Sequence, residues 1–483
     1  MAGARPRPIA ERYGGKRLHV LGAAGTEGSS VIDVLMRSGI TTITAHDLHA
    51  GAEFAAEFER THQWLTPEER RAALERLRSY PITMHTGGAY LRDIEDADVI
   101  FVPQSWFRHA ANEPVRVLRD RGRPLSSMMH LFFECAPCPI IGVTGTNGKF
   151  TVAYLIHQML LRSGHRAFFS GNDRSHVPML YYADALTPGD WLVLEISNRQ
   201  LVGLPYSPHI GVITNIAPHH LDDHGTMEAY VEVKHTLIRH QQPDDLAVLN
   251  ADNVYTQAMA ARAHHPYLFS RTEAPRPGVY LDGDRVVIAR ERAEVIIPLS
   301  VLHEHGARAI ENALAALLAA SLAGASAPAM VEALAEFRGL PYRSRVVGEV
   351  AGVRYIEDSL ATNPAAAAAA VGEMEGPFVL IAGGARPKAR VDDFAPLRDA
   401  LGRSPVRAVL LIGTTAGLLE DALAELRVPV EHLGTLDAAF ARARSLTRPG
   451  ESVLFSPACE SFDQFRDYRE RGDRFVALVQ AAH

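Results

Sequence analysis

The residue types with the clearest chemical potential stand in the loop at 145–149, which reads Gly-Thr-Asn-Gly-Lys. An apolar run at 140–143 precedes the loop, and a segment with helical periodicity at 152–161 follows it. In a strand–loop–helix arrangement, glycines let backbone N–H groups approach an anion, and the helix N-terminus adds positive partial charge. Lys149 adds a full charge. The spacing therefore favours a phosphate-binding loop over an ordinary glycine turn of an α/β domain.

Two positions of this loop depart from the common P-loop pattern. Val143 stands where that pattern has its first glycine, and Phe150 stands where a Ser or Thr hydroxyl normally holds Mg²⁺. Thr151 is one residue later, about 100° around the helix, so its hydroxyl is not expected to reach the same point. We therefore expect weaker binding of Mg²⁺, held by a carboxylate elsewhere, by phosphate oxygens and by water.

A carboxylate follows the next predicted strand of this region. The segment 190–194 predicts a strand, Glu195 stands at its carboxyl end, and Ser197 and Gln200 follow. A carboxylate at this end of a parallel strand is well placed to hold Mg²⁺ beside phosphates. The alternative is a solvated loop residue.

Histidines and a lysine follow the predicted strand at 211–216. His219, His220 and His224 could suggest zinc, but no cysteine lies near them. A predicted short helix at 227–238 then carries Lys234, for which an exposed helix lysine is the ordinary alternative.

The N-terminal region predicts a nucleotide-binding arrangement of Rossmann type. A strand at 17–21, a glycine turn at 22–28, a helix and a strand at 41–45 lead to Asp47. In such units the acid reaches a ribose hydroxyl. Because the glycine spacing differs from the dinucleotide pattern, a structural turn with an exposed Asp is an equally good interpretation.

Composition restricts the class of protein. With 483 residues, 47% hydrophobic and 22% charged, the chain is typical of soluble globular proteins and long enough for three domains. The net charge of -7 argues against a general nucleic-acid or anionic-membrane surface. Cys135 and Cys138 have no second pair and are interpreted, with Cys459, as reduced thiols. No apolar leader is visible, and the most apolar stretch, 313–325, is too short to span a bilayer, so we expect a cytoplasmic protein.

Together, these motifs resemble the Mur ligase superfamily, whose members form peptide-like amide bonds. The resemblance is carried by five segments: 145–149, 195–201, 215–225, 357–364 and 454–475. It implies an α/β fold of three domains. These are a Rossmann-like UDP-substrate-binding domain at 1–137, a P-loop ATPase-like domain with a parallel sheet at 138–340, and a Rossmann-like amino-acid-binding domain at 341–483.

The resemblance also implies the role of each site residue. Catalysis would involve Lys149, His220 and Lys234, and the last of these would be carbamylated. Magnesium would be held by Glu195, His220 and Lys234. ATP would be held by Gly145, Thr146, Asn147, Gly148, Lys149, Thr151, Asn312, Arg343 and Asp358. The other substrates would be held by Thr26, Asp47, Asn172, Ser197, Thr362, Lys388, Ser461 and Tyr468. Packing or helix capping is an alternative account of Asn312, and an ordinary surface position is an alternative for Arg343.

The resemblance implies an ATP-dependent, ADP-forming ligase that adds D-glutamate to a UDP-linked muramoyl-L-alanine through an acyl phosphate. Its cofactor would be Mg²⁺, and we expect a monomer. Two departures, Pro103-Gln104-Ser105 where the family has Ser-Pro-Gly and Leu360 where it has lysine, keep open a ligase of the same fold with another amino acid or carrier. Phe150 keeps open a non-catalytic nucleotide-binding protein.

Overall fold

The computed structural model describes residues 9–62, 65–104, 106–171, 178–217, 226–289, 294–302, 307–337, 339–386 and 389–482. The chain divides into two compact units, residues 1–336 and 337–483. Among the described residues, the first unit contains two β-sheets and the second contains one. Parallel strands dominate all three sheets and helices connect them, which confirms the predicted α/β class. The predicted boundaries at 137/138 and 340/341 stay predictions.

The first sheet consists of five parallel strands: β1 (Leu18–Leu21), β2 (Ile43–Asp47), β3 (Thr83–Thr86), β4 (Val99–Phe101) and β5 (Leu125–Ser126). Their order is β3–β2–β1–β4–β5. The surrounding helices are α1 (Ile9–Tyr13), α2 (Thr26–Arg37), α3 (Gly51–Thr61), α4 (Pro67–Ser79), α5 (Glu113–Asp120) and α6 (Met128–Cys135). The strand order reverses at β1, so the loops after β1 and β4 flank a crevice where parallel sheets bind ligands.

The second sheet is larger. Its strands are β6 (Ile140–Thr144), β7 (Ala167–Ser170), β8 (Trp191–Glu195), β9 (Ile210–Ile213), β10 (Leu246–Asn250), β11 (Pro266–Ser270), β12 (Gly278–Asp282), β13 (Arg285–Ala289) and β14 (Glu294–Pro298). The order is β14–β13–β12–β11–β10–β9–β6–β8–β7, and only the β12–β13 and β13–β14 pairs are antiparallel. The helices are α7 (Lys149–Arg162), α8 (Asn198–Leu201), α9 (Met227–Arg239), α10 (Val254–Ala260), α11 (Ala307–Leu322) and α12 (Ala327–Glu336).

The second unit contains the third sheet. Its strands are β15 (Arg345–Val350), β16 (Val353–Glu357), β17 (Phe378–Gly383), β18 (Val406–Ile412), β19 (Val430–Gly434) and β20 (Ser452–Phe455). The order is β15–β16–β20–β17–β18–β19, with β15 antiparallel to β16. The helices are α13 (Pro364–Gly372), α14 (Ala395–Leu401), α15 (Ala416–Leu423), α16 (Leu436–Leu446) and α17 (Tyr468–Ala481).

The alanine-rich helix α11 is a core element that packs against α7. Every residue from Ala313 to Ala320 is buried, as expected for a helix that is apolar on all sides. Of the helices in the described ranges, none is long and apolar enough to cross a membrane.

The boundaries of two predicted strands differ from the structure. The strand predicted at 41–45 lies at Ile43–Asp47, so Asp47 belongs to the strand itself. The strand predicted at 211–216 ends at Ile213. Beyond it, the side chains of Thr214 and Asn215 bond the neighbouring loop at 145–148.

Candidate active site

The phosphate loop connects β6 to α7, and its glycines shape it. Gly145 and Gly148 have positive φ values of 149° and 79°. A Cβ on Gly145 would collide with the hydroxyl of Thr214, and one on Gly148 would collide with the amide oxygen of Asn312. Glycine is therefore required at both positions. Because α7 begins at Lys149, its first N–H groups, which have no partner within a helix, open onto this loop.

The end of β9 holds the loop in place. The Thr214 hydroxyl donates to the carbonyl oxygen of Asn147 at 2.6 Å. The backbone N–H of Asn147 donates to Oδ1 of Asn215 at 3.0 Å, and that of Thr146 donates to the Asn215 carbonyl at 2.8 Å. The conformation of the loop is thus set by the protein, so little ordering remains when a phosphate binds.

Three predicted ATP residues adjoin the loop. Lys149 bends back over it, and its Nζ donates to the Thr146 carbonyl at 3.1 Å. Thr151 lies in the first turn of α7 and is partly buried. Asn312 lies inside α11 and contacts Gly148, so packing on the loop accounts for it and helix capping does not.

Lys234 is buried beneath the loop, with 1% of its surface exposed. The exposed-lysine alternative is therefore wrong. Its Nζ donates to Oγ1 of Thr144 at 2.9 Å and to the carbonyl oxygen of Gly145 at 3.0 Å, and lies 5.5 Å from the ring centre of Tyr230. Burial, and then the charge of Lys149, lower the pKa of Lys234 well below its usual value, while Glu195 opposes them. This environment favours the neutral amine, which is the form that reacts with CO₂ to give a carbamate.

Glu195, Phe150 and Gly171 meet at one point beside the loop. A Cβ built on Gly171 would lie 2.9 Å from Cε2 of Phe150 and 3.5 Å from Oε2 of Glu195. The ring of Phe150 also packs edge-on against Phe169, with 5.3 Å between centroids. The carboxylate predicted to hold the metal therefore has an apolar neighbour on the side where the common pattern places a hydroxyl.

The chemistry of the donors at this point fits Mg²⁺. Mg²⁺ is usually bound through one or two carboxylates together with substrate phosphates and water. Glu195, at the end of β8, supplies one carboxylate beside the phosphate loop. No cluster of three His, Cys, Asp or Glu side chains that could hold a metal occurs in the described ranges. His220, the imidazole predicted for this role, lies outside them.

Replacing Phe150 by threonine is expected to lower the Mg²⁺ concentration for half-maximal activity by about tenfold, the equivalent of about 1.4 kcal/mol from one added oxygen ligand. Phe150→Val is the matched control, because valine has the shape of threonine without its hydroxyl. Equal Mg²⁺ requirements in the two variants would show that the bulk of the ring, and not the missing oxygen, sets the requirement.

Ser197, which is predicted to hold substrate, has a structural role in this fold. It caps helix α8, because its hydroxyl accepts from the N–H of Gln200 while the Gln200 side chain accepts from the N–H of Ser197. The same hydroxyl donates to Oε1 of Gln104 at 3.1 Å. Two further residues predicted to hold substrate, Asn172 and Lys388, lie outside the described ranges.

A cavity of about 580 Å³ occupies the crevice of the first sheet. Thr26 and Asp47 line one part of it, Trp106 another, and Gly171 and Gln200 line the part nearest the second sheet. The cavity thus extends from the nucleotide-type turn to the residue that adjoins Glu195. It can hold an elongated ligand with one end near the phosphate loop.

The two predicted nucleotide contacts in this cavity are already engaged with protein groups. Asp47 is 4% exposed, so the interpretation as an exposed Asp is wrong. Its Oδ2 accepts from the N–H of Ala24 at 2.8 Å, and its Oδ1 accepts from the N–H of His49 at 2.9 Å. The Thr26 hydroxyl donates to the Thr61 carbonyl at 2.5 Å. Asp47 therefore fixes the turn and orients His49, whose ring nitrogen lies 3.0 Å from it.

The second unit contains the remaining predicted residues. Asp358 is buried, and its carboxylate accepts from the N–H of Ser344 at 3.0 Å and from the hydroxyl of Ser456 at 2.6 Å. Burial raises the pKa of Asp358 to about 7, while the Ser456 contact opposes the rise. Arg343 is exposed and Thr362 is partly buried. Ser461 and Tyr468 are buried near the start of α17.

Arg471 was missed by sequence reasoning. It is 1% exposed, and its guanidinium donates to the carbonyl oxygens of Ser359, Cys459 and Glu460 at 2.9–3.1 Å. It therefore joins the segment that carries Thr362 to the segment that carries Ser461. The segment 454–475, which carries part of the family resemblance, includes Arg471, and this was the signal in the sequence. Sequence reasoning likewise missed Thr144, Thr214 and Tyr230, because only long-range contacts give them their positions.

Comparisons with known proteins identify the family of this chain. Residues 143–320 match the Mur ligase middle domain, and residues 342–459 match the Mur ligase glutamate ligase domain. A protein of Symbiobacterium thermophilum named UDP-N-acetylmuramoylalanine--D-glutamate ligase is 38% identical over 86% of this chain and 90% of its own. One of the same name from Pelotomaculum thermopropionicum is 33% identical over 96% and 97% of the two chains.

A solved structure supports the fold. The crystal structure of UDP-N-acetylmuramate-alanine ligase MurC from Thermotoga maritima is similar over 97% of this chain and 100% of that chain, with a TM-score of 0.52 and 18% identity. At that identity the likeness concerns the fold alone. The family of this chain follows from the two matched domains and from the relatives above 30% identity. This chain covers almost the whole length of those relatives. The phosphate loop, its buried lysine and the adjoining carboxylate belong to a member of the Mur ligase family.

Proposed function

We propose that this protein is an ATP-dependent, ADP-forming ligase that adds D-glutamate to UDP-N-acetylmuramoyl-L-alanine during synthesis of peptidoglycan precursors. ATP phosphorylates the carboxylate of the L-alanine end, which gives an acyl phosphate and ADP. The amine of D-glutamate then attacks the acyl carbon, an amide bond forms, and inorganic phosphate leaves. The reaction takes place in the cytoplasm, on a monomeric enzyme. The proposal extends to this chain the activity in the names of its relatives.

The observation that best supports the proposal is the pair of regions that the cavity connects. It begins at the nucleotide-type turn at 22–28 and ends at Gly171, which adjoins Glu195 beside the phosphate loop. A carrier with a nucleotide at one end and a carboxylate at the other needs this arrangement, because the carboxylate must meet the transferred phosphoryl group. A short acid without a carrier would not need a cavity of this length.

The residues of the first unit have distinct roles in the proposal. Lys149 neutralises charge on the transferring phosphoryl group. Glu195, with His220, would hold Mg²⁺, which supplies further charge neutralisation when bound. Lys234 acts as its carbamate, an anion placed under the loop. Gly145, Thr146, Asn147 and Gly148 form the loop around the phosphate oxygens, which the N–H groups at the start of α7 bind, while Asn312 supports the loop from behind.

The residues of the second unit recognise the amino acid and part of ATP. Glutamate brings two carboxylates, which require several N–H, O–H and cationic donors. Thr362, Lys388, Ser461 and Tyr468 are the proposed donors. Arg343 and Asp358 are proposed to contact ATP, and protein groups already orient the carboxylate of Asp358.

A second candidate is a ligase of the same fold with another carrier or amino acid. The observation that favours it is Gln104, which stands in the loop after β4 and bonds both Glu27 and Ser197. A non-catalytic binding protein is less well supported, since it would not require a buried lysine, a carboxylate and a phosphate loop together.

The test is a phosphate-release assay with ATP and Mg²⁺. UDP-N-acetylmuramoyl-L-alanine and carriers with other peptide ends are each combined with D-glutamate, L-glutamate, D-aspartate and L-alanine. Release that requires both the L-alanyl carrier and D-glutamate supports the proposal. Release with a different pair supports the second candidate, and no release with any pair, alongside ATP binding, supports the third.

A further inference from the structure

Glu27 places a carboxyl group in the wall of the cavity where a nucleotide diphosphate would bind. It is the second residue of α2 and lines the cavity together with the turn at 22–28. Its Oε2 accepts the backbone N–H of Gln104 at 2.8 Å. An acidic side chain in the first turn of a helix therefore engages a loop N–H, and helix starts and loop N–H groups are the two kinds of group that bind phosphate oxygens in such crevices.

The loop after β4 extends this contact toward the phosphate loop. Oε1 of Gln104 accepts the hydroxyl of Ser197, which lies two residues after Glu195. Gln104 thus bridges the carboxyl of Glu27 and the segment that carries the proposed metal ligand. A ligand that changes the protonation of the Glu27 carboxyl therefore also changes the hydrogen bonding of Gln104.

We propose that Glu27 is a proton-linked specificity residue for the carrier: the carrier's diphosphate binds when the Glu27 carboxyl is protonated, and binding takes up one proton. The inference rests on the proposed function, because it assumes a diphosphate-linked carrier. A carboxylate and a diphosphate in one partly buried cavity repel each other. A protonated carboxyl has no charge and can donate its O–H to a phosphate oxygen, and the N–H of Gln104 becomes available to the same ligand.

The environment of Glu27 makes this protonation accessible near neutral pH. Removal from water raises the pKa of Glu27 to about 7, while the N–H of Gln104 opposes the rise. Among the described residues, the other titratable groups that line the cavity are Asp47, His49, Glu57, Arg60, Tyr90 and His109. Asp47 is paired with His49, and Glu57 with Arg60. Protonation of either histidine would also favour an anion at low pH, so variants must distinguish them from Glu27.

The direction in which pH changes the affinity for the carrier follows from the fraction of Glu27 carboxyls that are protonated. With a pKa of about 7, about one Glu27 in eleven carries a proton at pH 8, and most do at pH 6. The dissociation constant for the carrier is therefore expected to rise about tenfold between pH 6 and pH 8. The diphosphate itself keeps its charge across this range, so the ligand does not produce the change.

The experiment is calorimetric titration of the whole protein with UDP-N-acetylmuramoyl-L-alanine at pH 6, 7 and 8, without ATP, in buffers of different ionisation enthalpy. We expect the tenfold weakening and uptake of about one proton per carrier at pH 8. Glu27→Gln should bind the carrier equally well at all three pH values, with no proton uptake. Uridine, which has no phosphate, should show neither effect with the wild-type protein.

His49→Gln and His109→Gln serve as matched controls, and both should keep the pH dependence. Loss of the dependence in either histidine variant, or its persistence in Glu27→Gln, would overturn the assignment to Glu27. A pH-independent affinity of the wild-type protein would overturn the inference while leaving the proposed function intact. Failure of the carrier to bind at any pH, in wild type and Glu27→Gln alike, would overturn the proposed carrier and this inference together.

Discussion

Replacing Lys149 by alanine is expected to slow ligation by on the order of 100-fold or more, as for other lost charge stabilisers at a reacting centre. Its ammonium lies over the phosphate loop, bonded to the Thr146 carbonyl. The loop conformation depends on Gly145, Gly148 and the end of β9, so it should survive the substitution. The effect should therefore appear in turnover more than in thermal stability.

Arg162→Ala is the control for Lys149→Ala. Arg162 is the last residue of the same helix, where it pairs with Glu336 at 2.5 Å, so its loss removes a cation from α7 without touching the loop. Phosphate release measured at saturating substrates should fall in Lys149→Ala and stay near the wild-type rate in Arg162→Ala. Wild-type turnover in Lys149→Ala would show that the phosphate loop takes no part in the mechanism.

Lys234→Ala is expected to be nearly inactive and to be partly rescued by short carboxylic acids. The rescue is expected because a carbamate is an anion, and acetate or formate can replace its charge in the space left by the side chain. Burial depresses the pKa of Lys234, which keeps the amine neutral and able to react with CO₂. The measurement is ligation rate against added acid, with methylammonium as the comparison.

Rescue by methylammonium instead of by acids would show that Lys234 acts as a cation, and the carbamate assignment would fail. A second readout does not depend on activity. Wild-type protein equilibrated with ¹³C-labelled bicarbonate should give a carbamate carbon resonance that Lys234→Ala lacks. Because Lys234 is buried and bonded to Thr144 and Gly145, thermal unfolding of each variant should be recorded to show that it is folded.

The sequence by itself determined the elements whose information is local. The loop at 145–149 was predictable because two glycines, a lysine, a preceding apolar run and a following helical pattern lie within a few residues of one another. The end of β8 at Glu195 followed from the same kind of pattern. The family resemblance, which extends over most of the chain, then supplied the class of reaction.

Sequence patterns predicted less where the information was not local. Strands β11–β14 were missed, because short apolar runs between turns do not show which neighbour they pair with. The strand predicted to extend to 216 ends at Ile213, and the side chains of Thr214 and Asn215 beyond it bond a loop about 70 residues earlier in the chain.

The tertiary structure alone decided the state of the individual site groups. It buried Lys234 against Thr144, 90 residues away in sequence, and thereby lowered its pKa. It engaged Asp47, which was expected to contact a ligand, with the backbone N–H groups of Ala24 and His49. It also brought Phe150 and Glu195 together at Gly171. Burial, charge and close contact depend on which distant segments pack against a residue, and spacing along the chain does not record them.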